Sequence, residues 1–252
     1  MTFFELRDGR GKDSSFSLSN SVFKGGNFQA LNSTKLKFLS IVNTTFEDIK
    51  VATSFRFISL EEPPNDGNYS YIIKNTTFKS LTVSHSVIRV NNSRLEVNEV
   101  KFDNINLDLK SRWFDIDITI GWLKTACLTS IDSEVVIKNS NFTNINKSCL
   151  GIQQSDLTVE NCIFNNSGLV LSNSEIQTLE SESLDENSGV SWIHIQGFVP
   201  QNANIYPVEI RGSKFIENKM QPLLGGVKIW FSFNLFVALR LSKLQAIHQD
   251  KF

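Results

Sequence analysis

Charge is scarce in this chain, and neither sign prevails. Of 252 residues only 20% are Asp, Glu, Lys or Arg, and 25 basic residues stand against 26 acidic ones. Neutralising a phosphate backbone needs a basic excess, so nucleic acid is not an expected partner. Cysteine is nearly absent too. Cys127, Cys149 and Cys162 make no disulfide framework, and none stands in a C-x-x-C or Cys/His spacing that would hold zinc. They read as small buried hydrophobes. The three His, His85, His194 and His248, occur in unrelated contexts. The motifs G-x-S-x-G and H-E-x-x-H and a Gly-rich phosphate loop are all missing, and no cofactor or metal is expected. No apolar run reaches the roughly 20 residues that span a bilayer. The start, Met1-Thr2-Phe3-Phe4-Glu5 followed by Arg7, Asp8, Arg10, Lys12 and Asp13, lacks the apolar core of a signal peptide. It fits an intracellular protein or an internal piece of a longer one.

What fills the chain instead is Phe, Asn and hydroxyl side chains: 20 Phe, 25 Asn, and 44 Ser plus Thr. Twenty aromatic rings of one kind exclude a disordered chain. Asn, Ser and Thr favour turns and disfavour helix interiors, which points to β structure.

The three residue types are arranged in a repeat. Seven Phe anchor it: Phe23, Phe46, Phe78, Phe102, Phe142, Phe164 and Phe215. Seven residues before each stand Phe16, Leu39, Tyr71, Leu95, Val135, Leu157 and Val208, and five before stand Leu18, Ile41, Ile73, Val97, Ile137, Val159 and Ile210. Three before the Phe come Asn20, Asn43, Asn75, Glu99, Asn139, Asn161 and Gly212, usually followed by Ser, Thr or Cys. The pattern is a strand of period two, a corner at Asn, then a second short strand carrying Phe. Phe23 to Phe46, Phe78 to Phe102 and Phe142 to Phe164 are 23, 24 and 22 residues apart, the length of one coil of a parallel β-solenoid. Equivalent residues of successive coils then lie above one another, about 4.8 Å apart. The apolar positions become interior stacks of aliphatics and of Phe rings. Asn suits the corner because it tolerates left-handed backbone angles and its amide can hydrogen-bond to the Asn above and below.

This pattern resembles the right-handed parallel β-helix of the pectin-lyase-like superfamily, over about residues 14 to 229. One stretch, Phe215-Ile216-Glu217-Asn218 and then Gly225-Gly226-Val227-Lys228-Ile229, resembles the F-x-x-N and G-G-x-[IV] motifs of polymorphic outer-membrane-type surface proteins, with an echo at Phe23-Lys24-Gly25-Gly26. Repeat segments of large protist-type surface proteins are similar. The resemblance implies an all-β fold of about 8–10 coils and a surface or secreted protein, with a minority of relatives acting on carbohydrates.

The expected organisation is a lead-in over 1–13, a β-helix over 14–229 and an apolar tail over 230–252. The tail abandons the repeat. Its apolar run of about 13 residues suits a capping helix, a truncated membrane-proximal segment or a misjoined end. Two loops interrupt the repeat, one at 60–70 with Pro63, Pro64 and Gly67, the other acidic through Glu180, Glu182, Asp185 and Glu186. In Arg112-Trp113-Phe114-Asp115-Ile116-Asp117, the two carboxylates would face one side about 7 Å apart, as an acid/base pair or calcium ligands. The alternation of any half-buried strand yields the same pattern. Eight N-x-[ST] sequons occur, of which Asn68, Asn91 and Asn146 are the candidate glycosylation sites; Asn43 and Asn75 belong to the corner.

The function expected is a non-catalytic segment of a larger extracellular or cell-surface protein, a stalk, adhesion or recognition surface. Its partners would be glycans or other surface proteins, with a membrane met only through flanking segments or the tail. The alternative is a divergent polysaccharide lyase or glycoside hydrolase with a groove on one sheet face and Asp115 and Asp117 as catalytic candidates. A third reading is an intracellular polysaccharide-binding module.

Overall fold

The structure, a computed structural model, describes residues 2–6, 14–34, 36–51, 56–61, 69–107, 126–146, 148–167, 193–197, 208–216, 218, 227–231, 239–242 and 245–247. The tail and both loops lie wholly or partly outside these residues, as does the segment holding Asp115 and Asp117.

The described residues are all-β, and no helix occurs among them. The chain makes eight circuits of three strands. The first is β1 (Thr2–Leu6), β2 (Ser14–Ser19) and β3 (Val22–Lys24), and the second β4 (Gln29–Thr34), β5 (Leu36–Val42) and β6 (Thr45–Glu47). The third is β7 (Ile58–Glu61), β8 (Ser70–Lys74) and β9 (Thr77–Lys79), followed by the two-residue β10 (Thr82–Val83). Then come β11 (Ile88–Asn91), β12 (Arg94–Asn98) and β13 (Lys101–Leu107), and β14 (Ala126–Ile131), β15 (Glu134–Lys138) and β16 (Asn141–Ile145). The sixth circuit is β17 (Ser148–Gln153), β18 (Asp156–Glu160) and β19 (Ile163–Asn165), and the seventh β20 (Ile193–Gly197), β21 (Val208–Arg211) and β22 (Lys214–Ile216). The last is β23 (Val227–Phe231), β24 (Leu239–Ser242) and β25 (Gln245–Ile247).

Successive circuits contribute one strand each to three sheets. The first sheet runs β1-β4-β7-β11-β14-β17-β20-β23, the second β2-β5-β8-β12-β15-β18-β21-β24, and the third from β3 through β6, β9, β13, β16, β19 and β22 to β25. The pairings are parallel, an arrangement compatible with a parallel β-solenoid.

Register explains why these residues form these strands. In the third sheet Phe46 pairs with Phe78, Phe78 with Phe102, Phe102 with Phe142, and on to Phe215. Ring centroids from Phe23 to Phe215 are 4.8 to 5.4 Å apart, with interplanar angles of 7 to 14°. Strand spacing sets that separation, and six ring-on-ring contacts add to the area buried. In the second sheet Leu39, Tyr71, Leu95, Val135, Leu157 and Val208 form one buried column and Ile41, Ile73, Val97, Ile137, Val159 and Ile210 another.

Asn20, Asn43, Asn75, Asn139 and Asn161 turn the chain from the second sheet to the third at φ of 49 to 53°. Asn43 Nδ2 donates to Asn20 Oδ1 at 3.1 Å, and Asn75 Nδ2 to Asn43 Oδ1 at 2.7 Å. The ladder then changes residue: Asn139 Nδ2 donates to Asn98 Oδ1, because position 99 is Glu. The small residue after the corner serves two bonds. Ser140 Oγ donates to Lys138 O at 2.7 Å and accepts from Val100 N–H at 3.1 Å. Cys162 holds the same position, its thiol beside Glu160 O.

Two further left-handed corners recur among the described residues, both of them in the fourth to sixth circuits. Asp48, Ser80, Asn104, Asn144 and Asn166 turn the third sheet toward the first, and Asn92, Asp132 and Gln154 turn the first toward the second. Ser93, Ser133 and Ser155 follow the latter, each Oγ bonded to the carbonyl two residues back.

Of the tail over 230–252, for which a capping helix was one expectation, much lies outside the described residues, and no helix occurs among those described. Its described residues Leu239–Ser242 and Gln245–Ile247 are strands, pairing with β21 and β22. Leu239 and Leu241 stand in register with Val208 and Ile210. At the other end β1, within the lead-in, pairs with β4.

Candidate functional site

The three sheets do not treat their outer faces alike. Along the second sheet burial alternates, as in β12 and β15, with polar residues outside. In the first sheet β14 and β17 are covered on both faces, with all six residues of β17 and five of the six in β14 buried, while β11 alternates between buried and half-buried. A parallel strand covered on both sides reads as a near-continuous buried run, which these are.

The register sorts this sheet into columns. Leu31, Ile58, Ile88, Leu128 and Leu150 form one interior column, and Ser33, Leu60, Val90, Ser130 and Ile152 the next. The alternate columns carry most of the sheet's polar residues, Asn32, Ser59, Arg89, Thr129 and Gly151 in one and Asn91, Ile131 and Gln153 in the other. Ser59, Thr129 and Gln153 are each only 3% exposed, so this polar strip is largely withdrawn from water. At the corner entering β11, Ser84, His85 and Ser86 are buried too, and Thr129 Oγ1 donates to Ser86 Oγ at 3.3 Å.

The longer connections all enter or leave strands of this sheet. The link from the second sheet to the third is two residues long in all eight circuits. Every longer interruption, such as 108–125 between β13 and β14 or 168–192 between β19 and β20, adjoins a strand of the first sheet. Loops positioned by a rigid scaffold are where repeat proteins carry their binding residues. The side of the first sheet away from the core is therefore the candidate site.

Its ionisable groups are shaped by burial. Cys127 and Cys149, on β14 and β17, are free thiols, and desolvation pushes Cys127 well up and Cys149 up to about 12. Burial pushes Cys162 to about 11. Such thiols are poor nucleophiles at neutral pH. At the corner toward the second sheet, burial raises the carboxyls of Asp132 and Asp156, the latter also through Glu134 opposite. Among the described residues no three His, Cys, Asp or Glu side chains are grouped as metal ligands. Among the described residues there is no helix long and apolar enough to cross a membrane, a statement that leaves β-barrels aside.

Of the residues picked from sequence, Asp115, Asp117 and Asn68 lie outside the described residues. The seven Phe and five Asn stand in the columns and corner set out above. Asn91 ends β11, half-buried, with its Oδ1 buried and without a hydrogen-bond partner. Asn146 is tied into the third-to-first corner: its Nδ2 donates to Asn106 Oδ1 at 2.7 Å and Leu107 O at 3.1 Å, and its Oδ1 accepts from Leu107 N–H at 2.7 Å. An amide engaged on both atoms is a poor glycan acceptor. Sequence reasoning passed over the first sheet, because β14 and β17 lack the period-two signature and β11 is only four residues long. The readable signal was the short unbroken runs Ala126–Ile131 and Ser148–Gln153.

Comparison with protein families, curated proteins and solved structures returned no match.

Proposed function

We propose that the chain is a right-handed parallel β-helix of the pectin-lyase-like kind, a non-catalytic segment of a larger extracellular or cell-surface protein serving as stalk, adhesion or recognition surface. The observation that carries this reading is the way the repeat uses its polar residues. Corner amides and hydroxyls bind the neighbouring circuit, and outer charges pair along the sheets, as Glu47 does with Lys24 at 3.3 Å and Lys79 at 2.8 Å. Side chains engaged in holding circuits together build an elongated scaffold. The recognising elements would be the interruptions beside the first sheet, and glycans or other surface proteins their partners. In an exported chain Asn68, in its Pro/Gly loop, is the acceptor for a glycan, and Asn68→Gln would remove one glycan's mass.

Assaying the purified chain on a panel of polysaccharides, and probing the same panel for binding, tests the reading. Binding or cell adhesion without cleavage supports it. Cleavage that Asp115→Ala or Asp117→Ala abolishes overturns it in favour of a carbohydrate-active enzyme. The burial of the polar strip on the first sheet is what speaks for that second reading, since catalytic groups are tuned by withdrawal from water.

A further inference from the structure

A sequon that keeps its glycan needs an amide that faces water and takes no part in holding the fold. The structure sorts the sequons that lie among the described residues. Asn43 Nδ2 donates to Asn20 Oδ1 and Asn75 Nδ2 to Asn43 Oδ1, so a sugar on either nitrogen would disturb the corner ladder. Asn146 uses both amide atoms in its own corner. Asn91 and Asn165 each have a buried Oδ1. Asn32 stands in register with Ser59, in the strip of the first sheet that is withdrawn from water.

Asn141, in Asn141-Phe142-Thr143, is different. It opens β16, where Phe142 is buried and its two neighbours are not, so Asn141 and Thr143 face outward together from the third sheet. Its backbone N–H donates to Val100 O at 2.9 Å, but among the described residues no hydrogen bond holds its side-chain amide. In register with it are Lys101, which is exposed, and Ile163, which is half-buried. The corner leading into β16 is two residues long, so no connection from the second sheet overhangs the site.

We propose that Asn141 is an N-glycan acceptor. The co-reactant is an oligosaccharide carried on a lipid pyrophosphate. Transfer joins Asn141 Nδ2 to the anomeric carbon of the first sugar, breaks that carbon's bond to the pyrophosphate oxygen, and releases lipid pyrophosphate and one amide proton. Thr143 supplies the hydroxyl that the transferring enzyme reads. Transfer precedes folding, so the fold acts as a filter. Chains modified at Asn43, Asn75 or Asn146 lose bonds between circuits, and chains modified at Asn141 lose none. The glycan would stand on the third sheet across Ile163 and leave the candidate site beside the first sheet open to partners.

The test sends the 252-residue chain into the secretory pathway of a eukaryotic cell with an added leader. Its folded, protease-resistant fraction is mapped by peptide mass after enzymatic removal of N-glycans, which leaves Asp wherever one was attached. The Asn141 peptide should carry this mark, and those of Asn43, Asn75 and Asn146 should not. Thr143→Ala leaves the acceptor in place and should lose one glycan's mass with an unchanged circular dichroism spectrum, whereas Thr143→Ser should keep it. An unmarked Asn141 in the folded fraction overturns the proposal, as does a glycan that persists there in Thr143→Ala. Equal marking of Asn43, Asn75 or Asn146 overturns it too, since the fold would then exert no selection. The proposal rests on the surface-protein reading for its route in the living cell. Because the leader supplies that route in the test, an unmarked Asn141 sinks this inference alone, and polysaccharide cleavage sinks that reading alone.

Discussion

The first three circuits and the three that follow share one interior and have different exteriors. On the outer side of the second sheet, β2, β5 and β8 carry Ser15, Ser17, Ser19, Phe38, Ser40, Val42, Ser70, Ile72 and Lys74, with a single charge among them. The corresponding positions of β12, β15 and β18 are Arg94, Glu96, Asn98, Glu134, Val136, Lys138, Asp156, Thr158 and Glu160, six of them charged. Arg94 approaches Glu134 at 3.5 Å and Lys138 approaches Glu160 at 3.7 Å. The large exposed hydrophobics among the described residues, Phe3, Val22, Phe38 and Ile72, all fall in the first three circuits. Interior positions are bound by the stacking requirement, whereas exterior ones are free to follow what surrounds them. An early region poor in charge and rich in exposed rings is suited to contact, and a later one laced with ion pairs to water.

The comparison breaks most sharply under truncation of a ring. Phe102 is fully buried between Phe78 at 5.0 Å and Phe142 at 4.8 Å. Phe102→Ala should therefore lower the unfolding free energy by about 3–5 kcal/mol in urea titration. Phe23→Ala removes the same ring from the half-open end and should cost about half as much, because less area returns to water. Equal losses would mean that the first circuit is as tightly sealed as the fourth.

Alkaline pH should reverse the ranking of the two regions. The three thiols all lie in the fifth and sixth circuits, and burial raises each above the ordinary 9.0. A group whose folded pKa is raised contributes stability that is complete below its unfolded pKa and is lost as pH climbs toward the folded one. Between pH 9 and about 11 each thiol should withdraw about 1 kcal/mol per pH unit. Hydrogen exchange compared at pH 7 and pH 10 should show protection falling around residues 126–167 more than around 14–51. Uniform loss would locate the alkaline weakness elsewhere.

Corners offer a smaller lever. Gly212 replaces Asn at φ 61°, and a Cβ built there collides with Asn161 Oδ1. Gly212→Ala should destabilise by about 1–2 kcal/mol. Glu99 stands at φ 56° where its neighbours have Asn, so Glu99→Asn should raise stability by about 0.5 kcal/mol. The opposite signs, read from thermal melts, distinguish a corner where the missing side chain is required from one where the wrong one is tolerated.

These corners also mark how far the sequence could be read. Phe at one register position and Asn three residues earlier were visible because each circuit must place the same shape at the same point. The other two corners, occupied by Asp, Ser, Asn or Gln, share a backbone angle and not a residue type, so no letter recurs. The first sheet was hidden for the opposite reason. With both faces covered, Ser148–Gln153 has no alternation to detect, and its place in the first sheet follows from strand order alone. Leu239–Ser242 looked helical as part of an apolar run, but it is a strand paired with β21. Asp115 and Asp117 remain a sequence pattern whose chemistry the polysaccharide assay decides.

The smallest effect belongs to the charged ladder that joins the first three circuits on the third sheet. Glu47 on β6 lies between Lys24 on β3 and Lys79 on β9, and Lys79 Nζ donates to Glu47 Oε1 at 2.8 Å. The hydrogen bonds from Lys79 and Lys24 hold the Glu47 carboxyl below its usual 4.5, and the bond that Lys79 donates to Glu47 holds its own ammonium above the usual 10.5. A carboxyl whose folded pKa is depressed adds stability above its unfolded pKa and loses it as pH falls through the folded value. An ammonium whose pKa is raised adds stability below 10.5 and loses it at higher pH. The pair therefore acts across the whole neutral range and fails first in acid, below pH 4.5. It lies at the surface, with Lys79 about half exposed and Glu47 less so, and salt screens it. Glu47→Gln should lower the melting temperature slightly at pH 7 and low ionic strength, with no difference in 1 M salt or near pH 2. If the deficit persists in high salt, Glu47 acts through packing, and the early circuits are held by contact alone.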